Sequence, residues 1–85
     1  PYSNYLIKYQ NNEYKTDEEK CNLFKYILTN KNYVTEGTYL GCEKKPIESN
    51  PVYIIFLSDI KSNNILRYLT VDKKTLETNE IFIGK

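Results

Sequence analysis

The sequence predicts an α+β fold in which one amphipathic helix, at about residues 17–30, packs on a curved antiparallel sheet of four to five strands. Residues 16–30 combine a helix start signal with helical apolar spacing, and the segments after residue 33 read as short strands separated by turn residues. A lone helix or a lone sheet leaves its apolar face exposed, so the two are expected to cover each other. A chain of 85 residues is expected to form a single domain, residues 1–85.

The segment before the helix has two interpretations. Tyr5, Ile7 and Tyr9 alternate with polar residues, which is the pattern of a short strand. Because Leu6 interrupts this alternation, residues 5–15 are equally well interpreted as an irregular arm. In the first interpretation the polar sequence QNNE ends the strand, whereas the irregular arm includes it.

The helix itself has the clearest signal in the chain. Thr16 and Glu19 form a Thr-x-x-Glu capping box, and acidic residues in the first turn suit the positive end of the helix dipole. The helix is expected to end near Asn30. Its apolar face consists of Cys21, Leu23, Phe24, Ile27 and Leu28.

Four later segments predict the sheet. YVTEGTYLGC, residues 33–42, alternates as a strand, and its two glycines indicate a bulge or a bend. VYIIFL at 52–57 and ILRYLTV at 65–71 are predicted to form a hairpin, and EIFIGK at 80–85 a last edge strand.

The hairpin is predicted to have a structural role rather than a functional one. VYIIFL has almost no polar face, so it is predicted to be a central strand that is covered on both sides. In the turn SDIKSNN, we expect Asp59, Ser62 and Asn63 to serve turn formation rather than catalysis.

The two cysteines of the chain are both predicted to face the helix–sheet interface. Cys21 lies on the apolar face of the helix, and Cys42 is in register with Leu40 on a strand. A disulfide between them would close a loop of about 20 residues and contribute roughly 3 kcal/mol. Two buried thiols are the alternative. A disulfide implies an oxidising compartment, so we expect an extracellular or cell-surface protein whose leader is absent from this chain.

Composition argues against several classes of function. The chain has no His, which removes His-dependent catalytic triads and imidazole metal sites. Its net charge is +1 and Arg67 is its sole arginine, which argues against nucleic-acid binding. No apolar run approaches the length of a membrane span.

We expect no cofactor, no metal and no enzymatic activity. The acidic residues considered as catalytic pairs are Asp59, Asp72 and Glu77, or Glu36 and Glu43, and carboxylates near turns usually bind their own backbone.

Tyrosine is the residue type that points to a function. It occurs nine times, and its apolar ring and polar hydroxyl suit protein interfaces. The candidate partner-binding residues are Tyr5, Tyr9, Tyr33 and Tyr39. The alternative is that tyrosine is used here because it suits β-strands.

The hairpin VYIIFLSDIKSNNILRYLTVDKKT resembles the terminal hairpin of small PepSY-like and cystatin-like extracellular domains of Gram-positive bacteria. The segment YLTVDKKT is similar to their strand motif YxVDxxTG, although Leu76 follows Thr75 where that pattern has Gly. The resemblance implies a cystatin-like arrangement and a secreted or surface-attached domain without enzymatic activity.

Two functional hypotheses follow. The first is an extracellular binding module of unknown ligand, such as an inhibitor of a partner protein or part of a lipoprotein. The alternative is an intracellular phage or mobile-element protein that occludes a host enzyme. The oligomeric state has no signal in the sequence.

Overall fold

The structure, a computed structural model, describes residues 2–81. It contains two helices followed by a four-stranded antiparallel sheet in the order β1-β2-β3-β4. The mixed α and β content and the antiparallel sheet are therefore confirmed. The part of the predicted last strand after residue 81 lies outside the described residues. The elements are α1 Tyr2–Gln10, α2 Asp17–Asn30, β1 Thr38–Cys42, β2 Val52–Asp59, β3 Ile65–Asp72 and β4 Thr78–Ile81.

The N-terminal segment is a helix, and the predicted strand or irregular arm is wrong. Tyr5, Leu6 and Tyr9 occupy one face of α1 and pack against the hydrophobic core, whereas Ile7 is 55% exposed. Tyr5 and Tyr9 are four residues apart, so they share a side in a helix and in a strand alike. In so short a segment, only the position of Leu6 distinguishes a helical pattern from a strand pattern. Leu6 is adjacent to Tyr5, which fits one face of a helix.

Both helices end in the same way, on an asparagine with a left-handed backbone. Asn12 has φ 60° and Asn32 has φ 66°. After α1, the Asn12 N–H donates to the Tyr9 carbonyl and the Glu13 N–H donates to the Lys8 carbonyl, each at 3.0 Å. This is a Schellman motif, and α2 ends with the two corresponding bonds. Asparagine tolerates this conformation better than most residues, which explains why QNNE ends a helix here.

The start of α2 confirms the predicted capping box. The Thr16 hydroxyl accepts the Glu19 N–H at 3.1 Å, and the Glu19 carboxylate accepts the Thr16 N–H at 3.0 Å. The helix ends at Asn30, as its sequence predicts.

The inner face of the sheet carries the buried core. Ile55 on β2 lies between Cys42 of β1 and Leu69 of β3. The helices contribute to the same core, and the Phe24 ring centroid lies 4.8 Å from that of Tyr53. The buried apolar residues are Leu23, Phe24, Ile27, Leu28, Leu40, Ile55, Leu57, Leu69, Val71 and Leu76.

The outer face of the sheet is half-buried. β2 has β1 and β3 as neighbours, so its predicted central position is confirmed. The prediction that it is covered on both sides is wrong, because Val52, Ile54 and Phe56 are only partly buried and lie outside the core. On this face Phe56 lies between Gly41 and Tyr68, whose ring it meets edge-on with centroids 5.5 Å apart.

The first strand is shorter than its sequence pattern indicates. It begins at Thr38, because Gly37 has φ 83° and turns the chain immediately before it. The predicted bulge is found elsewhere, since the sheet's register shifts between Leu57 and Ser58 of β2. Gly41 remains in the strand and faces the Phe56 ring.

The two hairpin loops share one design. In the first, the Asp59 carboxylate accepts the Ser62 N–H at 2.8 Å, and Asn63 has φ 62°. In the second, the Asp72 carboxylate accepts the Thr75 N–H at 2.9 Å, and Leu76 has φ 64°. Each aspartate therefore organises a turn, which confirms the structural role predicted for the first loop.

The predicted disulfide is present. It joins Cys21 to Cys42, with their Cα atoms 6.1 Å apart. It therefore links α2 directly to β1.

Candidate functional site

The four tyrosines predicted to bind a partner do not form one surface. Tyr5, Tyr9 and Tyr33 are partly buried against the hydrophobic core. Tyr39 is 41% exposed and pairs with Ser58 on the outer face of the sheet. Its hydroxyl donates to the Asn63 side-chain oxygen at 3.1 Å, so it also braces the β2–β3 loop.

Tyr9 packs against the hydrophobic core. Its ring meets Phe24 edge-on with centroids 6.0 Å apart, and its hydroxyl is hydrogen-bonded to Tyr53. Burial raises the pKa of Tyr9 well above its ordinary value, and the neighbouring Tyr53 raises this pKa further. The phenol therefore joins α1 to β2.

Tyr5 does contribute to a surface, together with Tyr26 of α2. Their ring centroids are 5.0 Å apart and their planes are inclined at 60°. The hydrogen bond between them raises the pKa of Tyr5 and lowers the pKa of Tyr26. Tyr26 remains 50% exposed.

These two tyrosines border an open, mainly apolar groove of about 320 Å³ that we name the tyrosine groove. Its α2 wall follows one helical stripe, because positions 19, 22, 23 and 26 recur at intervals of three or four residues. The opposite wall comes from α1 and from the connection between the helices. The lining residues are Tyr5, Tyr14, Glu19, Asn22, Leu23 and Tyr26.

Sequence reasoning missed Tyr26. Its position three residues after Leu23 places it beside the apolar face of α2, and a large half-exposed aromatic at such a border marks a surface. The position of Tyr26 beside the apolar face of α2 could have been recognised from the sequence. The opposite wall was not, because it depends on α1 being a helix.

Three of the five acidic residues considered for catalysis have structural partners. Backbone N–H groups of their own loops lower the pKa of Asp59 and of Asp72. The Glu43 carboxylate accepts the Ile54 N–H at 3.3 Å. Among residues 2–81, no group of three or more His, Cys, Asp or Glu side chains is arranged to hold a metal ion. Within the same residues, neither helix is long and apolar enough to cross a membrane.

Comparisons of the chain with protein-family models, with curated proteins and with solved structures found no match. The functional proposal therefore depends on the geometry and chemistry of the surface.

Proposed function

We propose that the protein is a non-enzymatic binding module and that it contacts a protein partner through the tyrosine groove. The observation that carries this proposal is the groove's composition: the two adjacent tyrosine rings and Leu23 provide apolar surface, and the phenol hydroxyls and the Asn22 amide provide polar groups. Surfaces that are apolar in body and polar at the edge are typical of protein interfaces.

The shape of the groove favours an amphipathic helix as the occupant. A channel between two helices accepts a third helix, whose apolar residues pack along the stripe that ends at Tyr26. Glu19 contributes little to such contacts, since its carboxylate already accepts the Lys15 and Thr16 N–H groups. Asn22 is exposed and lies on the same stripe, where its amide suits a polar group of the partner helix.

The proposal places the protein outside the cell or on its surface. The disulfide supports this location, because such bonds persist in oxidising compartments. The cystatin-like arrangement belongs to the same proposal and is supported by a helix that precedes an antiparallel meander. Mass spectrometry of protein purified from its native source, with and without reductant, tests the location. A mass that shows two free thiols would instead favour the intracellular inhibitor.

Site-specific photo-crosslinking tests the groove. A photoreactive amino acid at position 26 should crosslink one defined polypeptide in the native source, whereas the same group at position 39 should not. The Tyr26→Ala substitution should then weaken binding of that polypeptide by about 2 kcal/mol, roughly 30-fold, as expected for an interface hot spot.

The matched control is Tyr39→Ala, which removes an exposed tyrosine from the outer face of the sheet. Unchanged affinity in this variant is expected. Crosslinking at position 39 in the absence of crosslinking at position 26 would place the partner on the sheet and contradict the proposal.

A further inference from the structure

We infer that the protein also has a site for an anionic carbohydrate, a sugar that carries a phosphate or a sulfate group, in a second groove that shares no lining residue with the tyrosine groove. This groove has a volume of about 350 Å³, within the usual range for small-molecule sites. It forms where the end of α1, the second turn of α2 and the β3–β4 loop meet. We name it the lysine groove, and its lining residues are Tyr9, Gln10, Asn12, Lys20, Lys73 and Lys74.

Its charge is the first argument. Three lysine residues line one groove in a chain whose net charge is only +1. No acidic residue is among its lining residues, and Lys20, Lys73 and Lys74 make no ion pair within residues 2–81. Asp72 lies close enough to Lys74 for this ammonium to lower its pKa, but the Asp72 carboxylate already accepts the Lys74 and Thr75 backbone N–H groups. An anion that binds among the three lysines is attracted by their combined charge.

One of these cations is held rigidly by neutral groups. The Lys73 ammonium donates to the Ile47 carbonyl at 2.9 Å and to the Glu48 carbonyl at 3.1 Å, and lies 4.8 Å from the centre of the Tyr53 ring. These partners fix the position of the ammonium, and none of them carries a formal negative charge. A fixed cation loses little conformational entropy when an anion binds.

The neighbouring surface indicates at which end of the lysine groove the anionic group binds. A second cavity of about 240 Å³ shares Lys20 and Lys73 with the lysine groove, and is also lined by Asp17 and Glu48. These carboxylates repel an anion from that side. The anionic group is therefore expected beside Lys74, with the sugar ring extending along the groove.

The remaining lining suits hydroxyl groups. Gln10 and Asn12 each provide an amide that both donates and accepts, which matches the hydroxyls of a sugar. The Tyr9 ring provides an apolar surface, while its hydroxyl is already bonded to Tyr53. Nucleic acid is a poorer match, because no arginine lines the groove and its one aromatic ring is half-buried.

Titration calorimetry on the full oxidised chain tests the site. The probes are glucose 6-phosphate, a sulfated heparin-derived disaccharide, inorganic sulfate and glucose. We expect saturable binding of at least one charged sugar, at least about 10-fold tighter than inorganic sulfate or glucose, and weaker as salt is added. Tighter binding of glucose 6-phosphate identifies a small phosphorylated sugar, and tighter binding of the disaccharide identifies a sulfated glycan; either supports the inference.

Variants of equal charge change assign the binding to the groove. Lys74→Gln and Lys20→Gln should each weaken the charged sugar about 5- to 10-fold, and Lys45→Gln, outside the groove, should leave its affinity unchanged. Thermal unfolding of each variant checks that the fold is retained. The inference is overturned if neither charged sugar binds saturably, or if Lys45→Gln weakens binding as much as Lys74→Gln does.

Discussion

Leu76 shows how burial decides a backbone conformation at the scale of one residue. Its φ of 64° is a left-handed conformation that costs a residue with a Cβ about 1–2 kcal/mol. Its side chain is fully buried in the core, which contributes about 1.5–3 kcal/mol. The burial therefore outweighs the strain. The Gly that the resembling motif places after Thr75 would relieve the strain and lose the burial.

This balance predicts an unusual order of stability at position 76. Leu76→Gly relieves the strain and opens a cavity, so we expect a net loss of about 1–3 kcal/mol in the free energy of unfolding. Leu76→Ala opens the cavity and keeps the strain, so it should lose about 3–5 kcal/mol. Urea unfolding measures both, and the glycine variant should be the more stable of the two.

The matched control is Asn32→Gly, at the left-handed position that follows α2, where the side chain is exposed. A change within about 0.5 kcal/mol is expected there. A glycine variant at position 76 that equals the wild type would show that the burial of Leu76 contributes no more than its strain costs.

At the scale of elements, the two loops that flank β3 repeat one arrangement. Each begins with an aspartate at the end of a strand, has Ser or Thr three residues later, and then a left-handed residue. The carboxylate accepts backbone N–H groups in both, which lowers the pKa of Asp59 and Asp72. The same hydrogen-bonding arrangement therefore stabilises the loops at both ends of β3.

These shifts predict a loss of stability in acid. A carboxyl whose pKa is lowered by folding stabilises the fold above its ordinary pKa, about 3.9, and that contribution is lost as pH falls through the lowered value. The free energy of unfolding should therefore decline below about pH 4. An Asp59→Asn, Asp72→Asn double variant keeps acceptor oxygens and should show a shallower decline, measured by urea unfolding from pH 5 to pH 2. An unchanged slope would count against a role for these two groups.

What the sequence could predict also differs by element. α2 begins with a capping box and has 14 residues with an apolar spacing of 3.6 residues, and both features can be recognised in the sequence. α1 has nine residues and no acidic residue in its first turn, and its tyrosines suit strands as well as helices. Its helical state follows from packing of Tyr5, Leu6 and Tyr9 on the core, which is a tertiary effect. The two grooves were unpredictable for the same reason, since each has α1 residues in its wall.

At the scale of the whole molecule, the disulfide joins the helical layer to an edge strand. The sheet itself is a meander in which each strand pairs with its sequence neighbours, so its own contacts are mostly local. The Cys21–Cys42 bond connects positions 21 residues apart and fixes α2 against β1. In a chain of this size that constraint is a large part of the net stability.

Removing the bond should therefore destabilise the protein markedly. The Cys21→Ser, Cys42→Ser double variant is expected to lose about 3 kcal/mol in the free energy of unfolding, in the chain-entropy treatment of a loop of this length. Denaturant unfolding measures the loss. Wild-type protein kept reduced during the measurement is the control and should lose a similar amount. A double variant as stable as the oxidised wild type would refute the assignment of a stabilising role.

The bond also determines how the molecule responds to a protease. The connection between α2 and β1 contains an exposed run, residues 35–37, that lies inside the covalent ring. A single cut there leaves both pieces attached through sulfur, and each remains anchored in the shared core. The nicked molecule stays whole until a reductant releases its halves, so in an oxidising environment one cleavage at this point does not separate the chain.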